Sequence, residues 1–167
     1  LEPHGAPSAV LRTPFSEVEA VLSPDGRWLA YVSDESGRQE VYVQPFAGSG
    51  GRTQLSTEGG IGPVWSRNGR ELFFSVMALT FGRRALMAVE VARLPTTSRF
   101  GAPRPLFEGR YGVAAEADFQ ARAFSVTPDG RRFLMLIPSA DPEAALGQFV
   151  VVVNWFDELK RKVPAGR

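Results

Sequence analysis

The chain has 167 residues, enough for one domain with a buried core. Its 19 basic and 18 acidic residues are spread along the sequence and leave a formal net charge of +1, which excludes a basic footprint for nucleic acid or anionic lipid. Cysteine is absent, which excludes disulfides, thiolate metal sites and cysteine nucleophiles, and no apolar run approaches the ~18 residues of a membrane-spanning helix.

The start, Leu1-Glu2-Pro3-His4-Gly5, has neither an initiator Met nor a signal-peptide pattern, and the expectation is a segment of a longer protein. Ala9-Val10-Leu11-Arg12-Thr13-Pro14-Phe15 reads as a lone outer strand of a preceding unit. The first full unit then begins. Ser23-Pro24-Asp25-Gly26-Arg27 is a turn, followed by the apolar run Trp28-Leu29-Ala30-Tyr31-Val32, a polar break at Asp34-Glu35-Ser36-Gly37-Arg38, and Glu40-Val41-Tyr42-Val43-Gln44-Pro45-Phe46. Short aromatic and β-branched runs between Gly, Asp and Ser clusters are the signature of antiparallel strands. Arg52-Thr53-Gln54-Leu55-Ser56, short and polar, suits an outermost strand.

The second unit reads Gly62-Pro63-Val64-Trp65, a turn at Ser66-Arg67-Asn68-Gly69-Arg70, Glu71-Leu72-Phe73-Phe74-Ser75-Val76, a loop around Gly82-Arg83-Arg84, Leu86-Met87-Ala88-Val89-Glu90-Val91, and a fourth strand at Pro103-Arg104-Pro105-Leu106-Phe107. Extra length at 92–101 and 108–119 reads as surface loop. The third unit reads Ala121-Arg122-Ala123-Phe124-Ser125-Val126, a turn at Thr127-Pro128-Asp129-Gly130-Arg131, Phe133-Leu134-Met135-Leu136-Ile137, and Phe149-Val150-Val151-Val152-Val153. After it, Phe156, Leu159 and Val163 stand at helical spacing, which predicts a short C-terminal helix packed on the last unit.

One turn is thus written three times, and an internal repeat fixes an architecture before any single residue does. The interval from Ser23 to Ser66 falls in the ~40–45 residue range of a four-stranded propeller blade. The interval from Ser66 to Thr127 is longer and implies an insertion. Strands apolar on both faces need cover on both, which stacked blades provide. A β-sandwich is the rival, but it does not call for one turn signature at blade spacing. The fold class read here is all-β: a partial β-propeller of about three four-stranded antiparallel blades with a short C-terminal helix. Its expected boundaries are 1–15 for the outer strand of a preceding blade, 16–57, 58–109 and 110–155 for three blades, and 156–167 for the tail.

The turn Ser23-Pro24-Asp25-Gly26-Arg27 ahead of Trp28-Leu29-Ala30-Tyr31 resembles the WD-like repeat of TolB-type six-bladed β-propellers. Residues 15–46, Pro103-Arg104-Pro105-Leu106-Phe107-Glu108-Gly109 and Asn154-Trp155-Phe156-Asp157-Glu158-Leu159-Lys160 resemble the C-terminal propeller region of large bacterial proteins, many with an N-terminal serine/threonine kinase domain. The resemblance implies a non-catalytic, extracytoplasmic module for binding or sensing a protein or peptide. The alternative is the gating propeller of a prolyl-oligopeptidase-type serine peptidase. Three blades cannot close a ring, since propellers use ~4–8. The missing neighbours are therefore further blades of the parent chain or a second copy, and the outer faces of the first and last blades are expected to be exposed and apolar.

Asp25, Gly26, Asn68, Gly69, Asp129 and Gly130 are assigned to turn chemistry: the acid or amide accepts a local N–H and glycine supplies positive φ. His4 is the single imidazole and no Gly-x-Ser-x-Gly elbow occurs, so no hydrolase site is expected. The kinase signatures are missing as well, and no cofactor or metal is expected. Asp34-Glu35 and Glu116 with Asp118 do not fit a calcium loop. The connections into the three inner strands nonetheless carry Glu17 and Glu19, Glu58, and Glu116 with Asp118. On a propeller they would ring one channel mouth, where they could hold a cation or a Lys or Arg side chain. They are the ligand-binding candidates.

Overall fold

The structure, a computed structural model, describes residues 9–47, 50–77, 83–93, 98–111, 124–137 and 149–152. Among them are twelve strands and no helix. A first sheet holds β1 (Glu17–Leu22), β2 (Trp28–Ser33), β3 (Glu40–Pro45) and β4 (Thr53–Gln54) in sequence order. A second holds β5 (Ile61–Trp65), β6 (Glu71–Met77) and β7 (Arg84–Arg93), with β8 (Ser98–Phe100) and β9 (Arg104–Gly109) both on β7. A third holds β10 (Phe124–Val126), β11 (Phe133–Leu136) and β12 (Phe149–Val152). All pairings are antiparallel.

Side-chain alternation along the strands decides how these sheets stack. Ala30, Val32, Val41 and Val43 of the first sheet meet Leu72, Phe74, Val89 and Val91 of the second in one core. Phe73, Leu86 and Ala88, from the opposite face of the second sheet, meet Phe124, Phe133 and Met135 of the third in another. Neighbouring residues of β6 thus serve different cores, and each fully buried aromatic contributes roughly 1.5–3 kcal/mol.

The first strands of the sheets lie against one another, β1 on β5 and β5 on β10. Two hydrogen bonds tie β1 to β5: Gly62 N–H donates to Glu19 Oε2 at 2.6 Å, and Trp65 Nε1–H donates to the Val21 carbonyl at 3.3 Å. Sheets stacked face to face with their first strands adjacent form a partial β-propeller.

The repeated turn is one structure in all three places. Ser23 Oγ donates to Asp25 Oδ1 at 2.5 Å and accepts from Trp28 N–H at 3.0 Å, while Arg27 N–H reaches Asp25 Oδ1 at 3.2 Å. Ser66 and Asn68 repeat these bonds with Glu71 and Arg70 at 2.9 Å each. Thr127 and Asp129 repeat them with Arg132 at 3.1 Å and Arg131 at 3.0 Å. The bonds from Thr127 and then Arg131 hold the exposed Asp129 carboxyl below its usual range. Its folded-state pKa being depressed, what it contributes is present above the ordinary carboxylate range and is lost as pH falls through the lowered value. Glycine closes each turn at φ 69° (Gly26), 64° (Gly69) and 71° (Gly130). A Cβ on Gly26 would meet nothing within 4 Å, so Gly26→Ala isolates the backbone effect. Thermal unfolding is expected to show a loss of about 1–2 kcal/mol.

Four expectations are corrected or refined. Residues 9–15 form no strand: Thr13 Oγ1 donates to Glu17 Oε1 and accepts from Phe15 N–H at 3.1 Å, and this local turn bonding, next to Pro14, replaces strand pairing. Their Leu11 packs on Leu29, Tyr31 and Tyr42, so the outer face of the first sheet is covered, with Tyr31 only 1% exposed. Burial there pushes the Tyr31 phenol up. The 92–101 stretch is not all loop, because β7 runs on to Arg93 and β8 returns along it. β8 and β9 are one interrupted outer strand, broken at 101–103, where Gly101 N–H donates to the Glu90 carbonyl at 2.8 Å. On the third sheet's outer face Leu134 and Leu136 are 38% and 40% exposed. The expected C-terminal helix and residues 121–123 lie outside the described residues.

Candidate functional site

The outer strand β4 is two residues long, while the outer strand of the next sheet extends from Ser98 to Gly109. The outer part of the second sheet therefore lacks an opposing strand, and a groove of about 590 Å³ lies between the two sheets. Phe74, Val76, Met87 and Phe100 form an apolar wall, and Ala102 and Pro103 continue it. The facing wall is the backbone-rich run 53–58, with Glu58 as its acid. Among the described residues no strand pairs with the outer edge of β4.

Each wall is fixed from behind. Phe100 stacks edge-on against Trp28 at 5.0 Å and lies 6.4 Å from Trp65, so the β7–β8 extension is anchored on both sheets. The run 56–59 is clamped by Glu40, a carboxylate only 1% exposed. Glu40 Oε2 accepts from Ser56 Oγ, and Oε1 accepts from Gly59 N–H at 2.9 Å and Arg38 Nε–H at 2.8 Å. Arg38 Nη2 donates on to the Thr57 carbonyl, and Ser56 Oγ accepts from Val41 N–H at 2.8 Å. Gly60 passes so close that a Cβ there would lie 2.4 Å from Ser56 Oγ.

The acids singled out in the sequence fall in different places. Glu17 and Glu19 are on β1, and Glu58 borders the groove. Glu17 is bonded to Thr13, and Glu19 reaches Gly62 N–H on β5. Glu116 and Asp118 lie outside the described residues. Glu19 has φ 54° at an irregularity in β1, and Gly62, at the same distance ahead of its turn serine, has φ 64° at the matching irregularity in β5. The left-handed backbone costs Glu19 about 1–2 kcal/mol, offset in part by a charge-assisted hydrogen bond to the next sheet. Glu40 and Phe100 were missed by sequence reasoning. A glutamate opening a strand looks solvated, and a Phe after Ser-Arg looks like loop. Among the described residues no group of three acids or histidines could hold a metal ion.

No protein-family model matches the chain. No curated protein matches it. Solved structures that are similar include TolB from Acinetobacter baumannii, 17% identical with a TM-score of 0.42. That match covers 85% of this chain and 41% of the TolB chain, so the chain spans less than half the length of that neighbour.

Proposed function

We propose that this partial propeller is a non-catalytic binding module that takes an extended peptide into the groove between its first and second sheets. The observation that carries the proposal is an apolar wall beside an edge of β4 that no strand among the described residues pairs with, the arrangement used when a peptide adds a strand to a sheet. Alternate side chains of such a peptide would face Val76, Met87 and Phe100, and Glu58 at the rim favours a basic residue among the others. Glu17, Glu19, Glu116 and Asp118 belong in this reading to a second acidic region at the channel mouth. The resemblance of the turns and of residues 103–109 supports placing the module outside the cytoplasm, as the sensing part of a larger bacterial receptor-like serine/threonine kinase.

The test uses an N-acetylated hexapeptide of alternating valine and lysine, titrated against intrinsic fluorescence, since Trp28 and Trp65 touch Phe100. A saturable change is expected, weakened about tenfold by Phe100→Ala, the loss of ~1.4 kcal/mol. Glu58→Gln should weaken it roughly two- to fivefold, an effect that disappears at high salt. No saturation, or equal binding of the aspartate-for-lysine peptide, would overturn the reading.

A further inference from the structure

Ser75, Arg84 and Tyr111 gather on the opposite face of the second sheet from the groove. Phe73 of β6 enters the second core, so alternation puts Ser75 on that face, and its register partner Leu86 is a second-core residue. Arg84 stands two positions before Leu86, on the same face. Tyr111 follows β9 and lays its ring over Gly109, the register partner of Arg84, with Cδ1 3.3 Å from where a Cβ would stand. The Tyr111 ring also packs on Phe107 at 5.8 Å.

All three side chains are buried: Ser75 is 1% exposed, Tyr111 2% and Arg84 7%. Yet Ser75 Oγ and Tyr111 OH, although close enough to influence each other, make no well-formed hydrogen bond. Among the described residues no carboxylate pairs with Arg84. Burial pushes the Tyr111 phenol far up, so its proton stays on oxygen and available for donation. Two buried hydroxyls without a well-formed partner, beside Arg84, make a half-built network, which costs more than an apolar site of the same shape. A group that accepts several hydrogen bonds and carries negative charge would complete it. Arg83 and the exposed Arg110 adjoin Arg84 and Tyr111 in the chain and add positive charge near them.

We infer that Ser75, Arg84 and Tyr111 form a binding site for a small carboxylate, the terminal carboxylate or an acidic side chain of a peptide. The planar guanidinium fork matches two carboxylate oxygens, and the hydroxyls supply the remaining donors. The experiment titrates the chain with acetate, with N-acetylalanine and with the amides of both at constant ionic strength, following the side-chain N–H resonances of Arg84. A saturable shift with the acids and none with the amides is expected. Preference for N-acetylalanine over acetate would point to a chain terminus as the natural source, and the reverse to a side chain. Tyr111→Phe and Ser75→Ala keep the packing, and each should weaken binding about five- to tenfold, one hydrogen bond apiece. Arg84→Gln should abolish it. No saturable shift, an equal response to the amides, or tighter binding of inorganic phosphate would overturn the inference. So would a response that appears only in the Glu116→Gln, Asp118→Asn double variant, because the chain's own acid would then fill the site.

Discussion

Phe133→Ala is expected to lower the unfolding free energy by about 3–5 kcal/mol, a large share of the ~5–15 kcal/mol that holds a domain. The ring is 1% exposed and stands edge-on to Phe73 of the second sheet at 5.1 Å. It also lies 6.0 Å from Phe107 and 6.3 Å from Phe124, so truncation opens a cavity among three other rings. The third sheet makes this loss worse. Its strands hold three, four and four residues, and Leu134 and Leu136 on its outer face are partly exposed, so among the described side chains its attachment runs through Phe124, Val126, Phe133 and Met135. Urea denaturation with hydrogen exchange checks the prediction: amides of β10 and β11 should lose protection before those of β2 and β3. Leu134→Ala, on the open face of the same strand, should cost much less. A Phe133→Ala loss below about 1 kcal/mol would mean that the second and third sheets are not joined through this ring.

The contrast between Phe133 and Leu134 also marks what the sequence can and cannot say. The repeated turns were legible because their chemistry is local: a hydroxyl, an acid or amide and a glycine within five residues satisfy one another wherever they stand. The need for cover on both sides was legible as well, since a strand apolar on both faces demands two covers. The identity of those covers was not. Leu11 lies in a stretch whose composition suits a strand, and only its packing on Tyr31 and Tyr42 reveals a cap over the first sheet. Phe100 depends on Trp28 and Trp65, which come from two different sheets. Arg84 read as loop charge, because nothing nearby in sequence announces that it will be buried beside Tyr111. The candidate site was therefore only partly legible. Glu58 was named for a channel mouth, and the groove it borders beside the short β4 was not foreseen.

Glu40 carries the last prediction, because it links stability to that groove. Glu40→Ala removes the acceptor for Ser56 Oγ, Gly59 N–H and Arg38 Nε–H together. Leaving buried donors unpaired costs about 1–3 kcal/mol, and the Arg38 contribution is small because that side chain is 58% exposed. A loss of about 2–3 kcal/mol in urea unfolding is expected. Glu40→Gln keeps one carbonyl acceptor and should recover roughly half of it. The second readout is the peptide titration. Residues 56–59 hang on this carboxylate and form the rim of the groove, so Glu40→Ala should weaken the valine-lysine hexapeptide under conditions where the variant is still fully folded. Gly60→Ala should do the same by a different route, since its Cβ would push Ser56 away from Glu40. If both variants lose stability yet bind the peptide as tightly as the unaltered chain, the rim is not part of the binding surface, and the peptide must contact only the wall of Val76, Met87 and Phe100.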